Sequence, residues 1–154
     1  MSNENMATGH GLVPGTWRPL PTPTWLTEPF WDAAREGCLV VQRCTDCGEY
    51  VFRPHFACTR CLSDRLDWVQ SKGTGIIDSF SIVKRPAFPE LPAVYAVVSV
   101  KMHEGWFMMS NAIDCEVSDV KVDLPVRVAF RDVGGMSLPF VEPMPGVVTT
   151  RVAS

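Results

Sequence analysis

Four cysteines in the stretch QRCTDCGEYVFRPHFACTRC constrain this chain more than any other feature. Cys44 and Cys47 form one Cys-x-x-Cys pair and Cys58 and Cys61 a second, with ten residues between the pairs. Each such turn aims two sulfurs at one spot. Gly48, directly after the first pair, supplies the positive φ that lets backbone amides face the sulfurs. The spacer GEYVFRPHFA is long enough for a small hairpin that sets the two turns face to face. Four thiolates about 2.3 Å from a zinc ion complete a tetrahedral shell and leave no position open for a substrate. The expected metal ligands are therefore Cys44, Cys47, Cys58 and Cys61, the expected cofactor is zinc, and the expected role is structural. Iron satisfies an all-sulfur shell of this kind as well. A redox dithiol fits less well, because one pair would suffice and the βαβ context of such sites is missing. His55 lies between the pairs, surplus to a full shell, and reads as a surface or packing residue.

The remaining chemistry-bearing residues form no catalytic constellation. Cys38 and Cys115 read as small buried hydrophobes, and the acidic neighbours of Cys115 in NAIDCEVSD disfavour a thiolate. His10 falls in an N-terminal tail and His103 at a hairpin tip, with no Ser or Cys placed to use either as a base. The glycines at 73–75 precede a strand rather than a helix, so they do not form a phosphate loop. Asp114, Glu116, Asp119 and Asp123 read as a solvated acidic turn. Lys84 and Arg85, with Phe88 three residues on, offer two cations and a ring that suit an anionic ligand with an adenine, although a solvated loop fits the same residues. They are the candidate contacts for such a ligand.

Around these features the chain divides into four stretches. Residues 1–26 form an extended, proline-rich tail, in which Pro14, Pro19, Pro21 and Pro23 forbid a helix. Its Trp17 and Trp25 either fold back on the body or dock on a partner. Residues 27–67 hold a short helix in TEPFWDAAREG and then the cysteine cluster. Thr27 is placed to cap the helix, Phe30, Trp31 and Ala34 form its apolar face, and Gly37 ends it. CLVVQRC reads as a strand, and LSDRLDWVQSKGTG as a polar link. Residues 68–146 alternate with a period of two. In GIIDSFSIV, Ile76, Asp78, Phe80 and Ile82 oppose Ile77, Ser79, Ser81 and Val83. YAVVSVKM and WFMMSNAID flank the turn His103-Glu104-Gly105. Trp106 and Phe107 then point to opposite faces, as do Met108 and Met109. PVRVAFRDV places Val126, Val128 and Phe130 against Arg127, Ala129 and Arg131, and LPFVEP closes the set. Residues 147–154 form a C-terminal tail. About five short strands with no helix pattern predict a mainly β fold, and a closed five-stranded OB-like barrel removes their edges.

Hydrophobic residues at 46% and charged residues at 20% suit a globular chain rather than a disordered one. The net charge of −3 argues against a nucleic-acid partner. Between 38 and 67 the cations Arg43, Arg53, Arg60 and Arg65 are matched by Asp46, Glu49, Asp64 and Asp67. No apolar run approaches the roughly 20 residues that span a bilayer, and MSNENMATGHG is no signal peptide, so a cytoplasmic location is expected.

The order of these signals, PFWDAAREG, LVVQRCTDCG, RPHFACTRC, Trp68, GTGIIDSFSIV and VRVAFRDVGGMSLPFVEP, resembles a family of zinc-ribbon plus OB-fold proteins associated with thiolases. The resemblance covers roughly residues 28–143, and departs at Thr59, where the family often has proline. It implies a rubredoxin-like ribbon followed by an OB barrel, and a setting in acyl-CoA metabolism. It also implies a thiolase-fold partner subunit that supplies the chemistry. For relatives in steroid side-chain degradation, that partner is an aldolase of the sterol-carrier-protein thiolase type. Only the four cysteines carry over as site residues. The resulting expectation is an accessory subunit that helps position an acyl-CoA ester for a lyase or acyltransferase. The alternative is a single-strand nucleic-acid binder, since OB folds and zinc ribbons both serve that purpose.

Overall fold

Period-two alternation becomes two antiparallel sheets in the computed structural model, which describes residues 20–86, 91 and 93–147. Among the described residues one α-helix, α1 (Glu28–Arg35), precedes them, with Thr27 at its N-cap, Pro29 in its first turn, and Phe30 and Ala34 buried. The Thr27 hydroxyl makes no cap bond. It accepts instead from the Thr24 amide at 2.9 Å, tying the incoming chain to the helix start.

The first sheet is built from β1 (Val40–Cys44), β2 (Tyr50–Val51) and β3 (Leu66–Gln70), in the order β2-β1-β3. β2 is the one strand of the spacer, and its hairpin is with β1 across the first cysteine turn rather than within the spacer as expected. β3 corrects the expectation of a polar link after Cys61. It pairs with β1 from Val40↔Gln70 to Cys44↔Leu66. Its alternation is weak because both of its faces are partly wet, and a pairing partner more than twenty residues upstream leaves no local trace.

The second sheet holds β4 (Thr74–Val83), β5 (Tyr95–Met102), β6 (Phe107–Asn111), β7 (Pro125–Val133) and β8 (Met136–Pro143), in the order β6-β5-β4-β7-β8. Ala112, just past β6, bridges Val141 of β8 in parallel, and the Ile113 amide donates to the Val141 carbonyl at 2.8 Å. The first strand lies between the second and fourth, and the third meets the fifth in parallel. That is the closure of an OB barrel. Ile77, Ala96, Val98, Val100, Met108, Val126 and Val141 are buried in its main apolar cluster.

β4 does not keep one alternation along its length. A bulge between Ile77 and Ser79 leaves Asp78 unpaired, so Phe80 and Ile82 oppose Val98 and Ala96 on the face that Ile77 shares with Val100. Gly75 lies at the narrow end of this strand. A Cβ there would sit 2.9 Å from Val100 Cγ1 and closer still to the Lys101 carbonyl oxygen. Gly75→Ala is therefore expected to cost about 1–3 kcal/mol by overpacking. Urea unfolding checks this, and an unchanged midpoint would contradict it.

The two sheets share one core. Trp106 of the barrel stacks on Phe52 of the ribbon with ring centroids 4.9 Å apart, and Phe52 meets Phe30 of α1 edge-on at 6.2 Å. The Lys72 amide in the connecting link donates to Glu104 Oε1 at 2.7 Å. α1 also reaches the outer face of β8, where Ser137 donates its hydroxyl to the Ala34 carbonyl at 2.8 Å. Trp31 packs there against a second cluster of Ile113, Ala129, Val133, Leu138 and Phe140. Among the described residues no helix is long and apolar enough to cross a membrane.

Candidate metal centre and exposed faces

β1 ends on Cys44, and the turn Thr45–Gly48 carries Cys47 back beneath it. The Gly48 amide donates to the Cys44 carbonyl at 2.9 Å, and Gly48 has the φ of +75° that this turn needs. The second turn repeats the pattern, with the Leu62 amide on the Cys58 carbonyl at 3.0 Å. Here a leucine takes the left-handed position, at φ +63°.

The four sulfurs lie within 4.8 Å of one another, with Cys44–Cys61 at 3.6 Å and Cys47–Cys58 at 3.5 Å. Sulfurs on a tetrahedron about 2.3 Å from its centre are about 3.8 Å apart, so the set fits a zinc ion. The amide of Cys47 lowers the thiol pKa of Cys44, and the amide of Cys61 draws Cys58 down to about 7. Both sulfurs are thus prepared to bind a cation as thiolates. Arg65 and Ser63 both bond Asp46 across the two turns, bracing one against the other. His55 takes no part: it is exposed, and its backbone amide donates to Gln42 Oε1 at 2.9 Å. Zinc held by Cys44, Cys47, Cys58 and Cys61 would cross-link the two turns and would take all four of these protein donors.

The other candidates fall apart spatially. Cys115 is buried, and burial with Asp119, Asp114 and Glu116 nearby pushes its thiol up to about 11. Cys38 is half-buried. Lys84 and Arg85 are exposed just past β4, while Phe88, like His10 and Trp17, lies outside the described residues. Several of the cations are occupied within the chain. Glu142 accepts from Arg127 at 2.7 Å and Arg131 at 2.9 Å, and Arg131 also reaches Asp114. Arg35, Arg60 and Arg65 pair with Asp32, Glu49 and Asp46.

Among the described residues two apolar faces stay open. Trp106 and Met108 are buried, whereas Phe107 and Met109 are 49% and 64% exposed. Ile76, Lys101 and Phe107 form one cross-strand row, with Met109 beside it opposite Ser99. On the ribbon, Trp25 lies against Phe56 with centroids 5.4 Å apart, both rings largely exposed. The period-two pattern marked the split within Trp106–Phe107 and within Met108–Met109, and burial assigns Phe107 and Met109 to the open side. Nothing in the spacer marked Phe56 as the ring that Trp25 meets.

A four-cysteine ribbon feeding a closed five-stranded barrel defines a class: metal-stapled OB-fold proteins. Within that class, residues 31–67 match the model of the ChsH2 rubredoxin-like zinc ribbon domain, and residues 68–131 match that of the ChsH2 C-terminal OB-fold domain. The chain belongs to this ChsH2 zinc-ribbon/OB-fold family.

A chain of a solved Ltp2-ChsH2(DUF35) aldolase superposes with a TM-score of 0.73 at 26% identity, covering 80% of this chain and 98% of that one. A DUF35 domain-containing scaffold protein of Methanothermobacter thermautotrophicus is 29% identical over 98 residues, 62% of this chain and 73% of the relative. A probable enoyl-CoA hydratase alpha subunit of Thermomonospora curvata is 31% identical over 98 residues, 63% of this chain. The chain spans only 31% of that subunit's length.

Proposed function

We propose that this chain is a non-catalytic subunit of a heteromeric acyl-CoA lyase in the cytoplasm. It binds a thiolase-like enzyme and helps hold the CoA ester while the partner performs the chemistry, such as retro-aldol cleavage of a steroid or lipid side chain. The observation that carries this reading is the superposition on nearly the whole length of a chain from the Ltp2-ChsH2(DUF35) aldolase. The distribution of side chains supports it. Four of the six thiols are set to close a metal shell, Cys115 is buried and Cys38 half-buried, several cations are spent internally, and Phe107, Met109, Trp25 and Phe56 are left as apolar contacts. Lys84, Arg85 and Phe88 are the proposed contacts for the anionic end of the CoA. Binding energy gathered there raises rate by fixing the orientation of the ester in the partner's site. The hydratase subunit among the relatives favours a second partner chemistry, addition of water to an enoyl-CoA, within the same accessory role.

Purification from the native host with its associated proteins tests this directly. A thiolase-like subunit is expected in the complex. The lone chain is expected to leave β-hydroxyacyl- and β-ketoacyl-CoA esters untouched, with turnover appearing once the partner is added. Phe107→Ser should weaken the complex about tenfold or more without lowering the melting temperature. Turnover by the chain alone would sink the accessory reading. So would tight oligonucleotide binding at physiological salt, the mark of the nucleic-acid alternative.

A further inference from the structure

We propose that Cys61 is a modification site, the sulfur through which hydrogen peroxide enters the metal centre, closing a disulfide to Cys44 and releasing the zinc. Three independent features of the site single it out. The first is access. Cys44 and Cys58 are buried and Cys47 is half-buried, while Cys61 alone among the four is exposed. The second is hydrogen bonding to sulfur. The Arg60 amide donates to Cys58 Sγ at 3.4 Å. An N–H donor withdraws charge from sulfur and blunts its attack on an electrophile. Cys58 is thus blunted as well as buried, while Cys61 is open to solvent.

The third feature is the neighbourhood. Cys44 Sγ is 3.6 Å from Cys61 Sγ, so a resolving thiol is already in place. The residue after Cys61 is Leu62, left-handed at φ +63° and 80% exposed, where the first turn uses Gly48. A side chain in that conformation strains the backbone next to the exposed ligand, which the glycine of the first turn avoids.

The step balances as follows. The Cys61 thiolate attacks one peroxide oxygen; an S–O bond forms, the O–O bond breaks and hydroxide leaves. The sulfur is oxidised by two electrons and the peroxide is reduced. The Cys44 thiolate then attacks the sulfenic sulfur; the S–S bond forms, the S–O bond breaks, and a second hydroxide leaves. Two of the four donors are thereby lost, and a two-thiolate remnant holds zinc poorly.

The test uses the full-length, zinc-loaded protein and limiting hydrogen peroxide. Released zinc is followed with a chromogenic chelator, and quenched samples are alkylated and peptide-mapped. About one zinc is expected per disulfide, with Cys44–Cys61 the first bridge and dimedone trapping the sulfenic acid on Cys61. Cys115 should remain reduced throughout. In Cys61→Ser, peroxide-driven release from whatever zinc is bound should slow about tenfold or more. The trapping experiment on the unmodified chain stands even if that variant loads poorly. A first adduct on Cys47 or Cys38, a first bridge other than Cys44–Cys61, or zinc held until the circular-dichroism signal collapses would each overturn the proposal.

Discussion

Replacing Cys44 with serine is expected to strip the protein of its metal and melt the ribbon sheet. Cys44 is the last residue of β1, the central strand of that sheet, and it is almost wholly buried. Serine has nearly the volume of cysteine, so the loss comes from the missing thiolate and not from a cavity. The small cluster around it, Cys44, Val51 and Cys58 with Cys47 and Leu66 alongside, is too small to hold the two turns by apolar burial alone. Structural zinc contributes on the order of 10–16 kcal/mol of apparent binding energy in isolated finger peptides, comparable with the whole stability of a domain. Metal analysis of the unsubstituted chain should return one zinc, and of the variant little or none. Amide exchange across 40–70 should speed up by orders of magnitude, while the β4–β5 pairing exchanges more slowly. A variant that lacks zinc yet keeps ribbon protection and full partner binding would contradict the structural role.

Trp106→Ala is the second substitution of large expected effect, for a different reason. Trp106 is almost fully buried, stacked on Phe52, and belongs to the cluster that contains both Val41 of the ribbon and Val100 of the barrel. Truncating a buried tryptophan costs about 3–5 kcal/mol through lost transfer energy and the cavity left behind. The cavity here opens at the joint, so ribbon and barrel should lose their common unfolding transition. Two transitions in a urea titration, or ribbon exchange uncoupled from barrel exchange, would report this. Trp106→Phe is the informative control. Among the described residues the buried Trp106 indole N–H has no hydrogen-bond partner, so phenylalanine removes no polar contact with them while keeping a ring against Phe52. That change should cost clearly less than alanine. Equal losses in the two variants would mean that the stack contributes nothing.

Both predictions rest on features of unequal visibility. The metal ligands could be read from spacing alone, because a Cys-x-x-Cys turn encloses its geometry within four residues. The split between Trp106 and Phe107, and between Met108 and Met109, was equally legible, since a strand alternates its side chains whatever it pairs with. β3 was not. Its residues Leu66–Gln70 are half-wet, and only pairing with β1 makes them a strand. The bulge at Asp78 was hidden for a related reason: an unpaired residue shows itself only against the register of β5. The faces assigned beyond it in β4 consequently exchanged sides.

Trp25 marks the same divide at the level of function. Its place in a proline-rich segment left open whether it folds back or faces outward. The structure places it against Phe56 with most of its surface still open, a contact that depends on where the spacer after β2 runs. The sequence by itself determined the metal ligands, the strand faces away from the bulge and the mainly β class, because each follows from interactions within a few residues. Tertiary structure alone decided the third ribbon strand, the shared core through Phe52 and Trp106, the spent cations around Glu142 and the solvent access of Cys61. These depend on contacts between segments distant along the chain, which closure of the barrel and docking of the ribbon bring together.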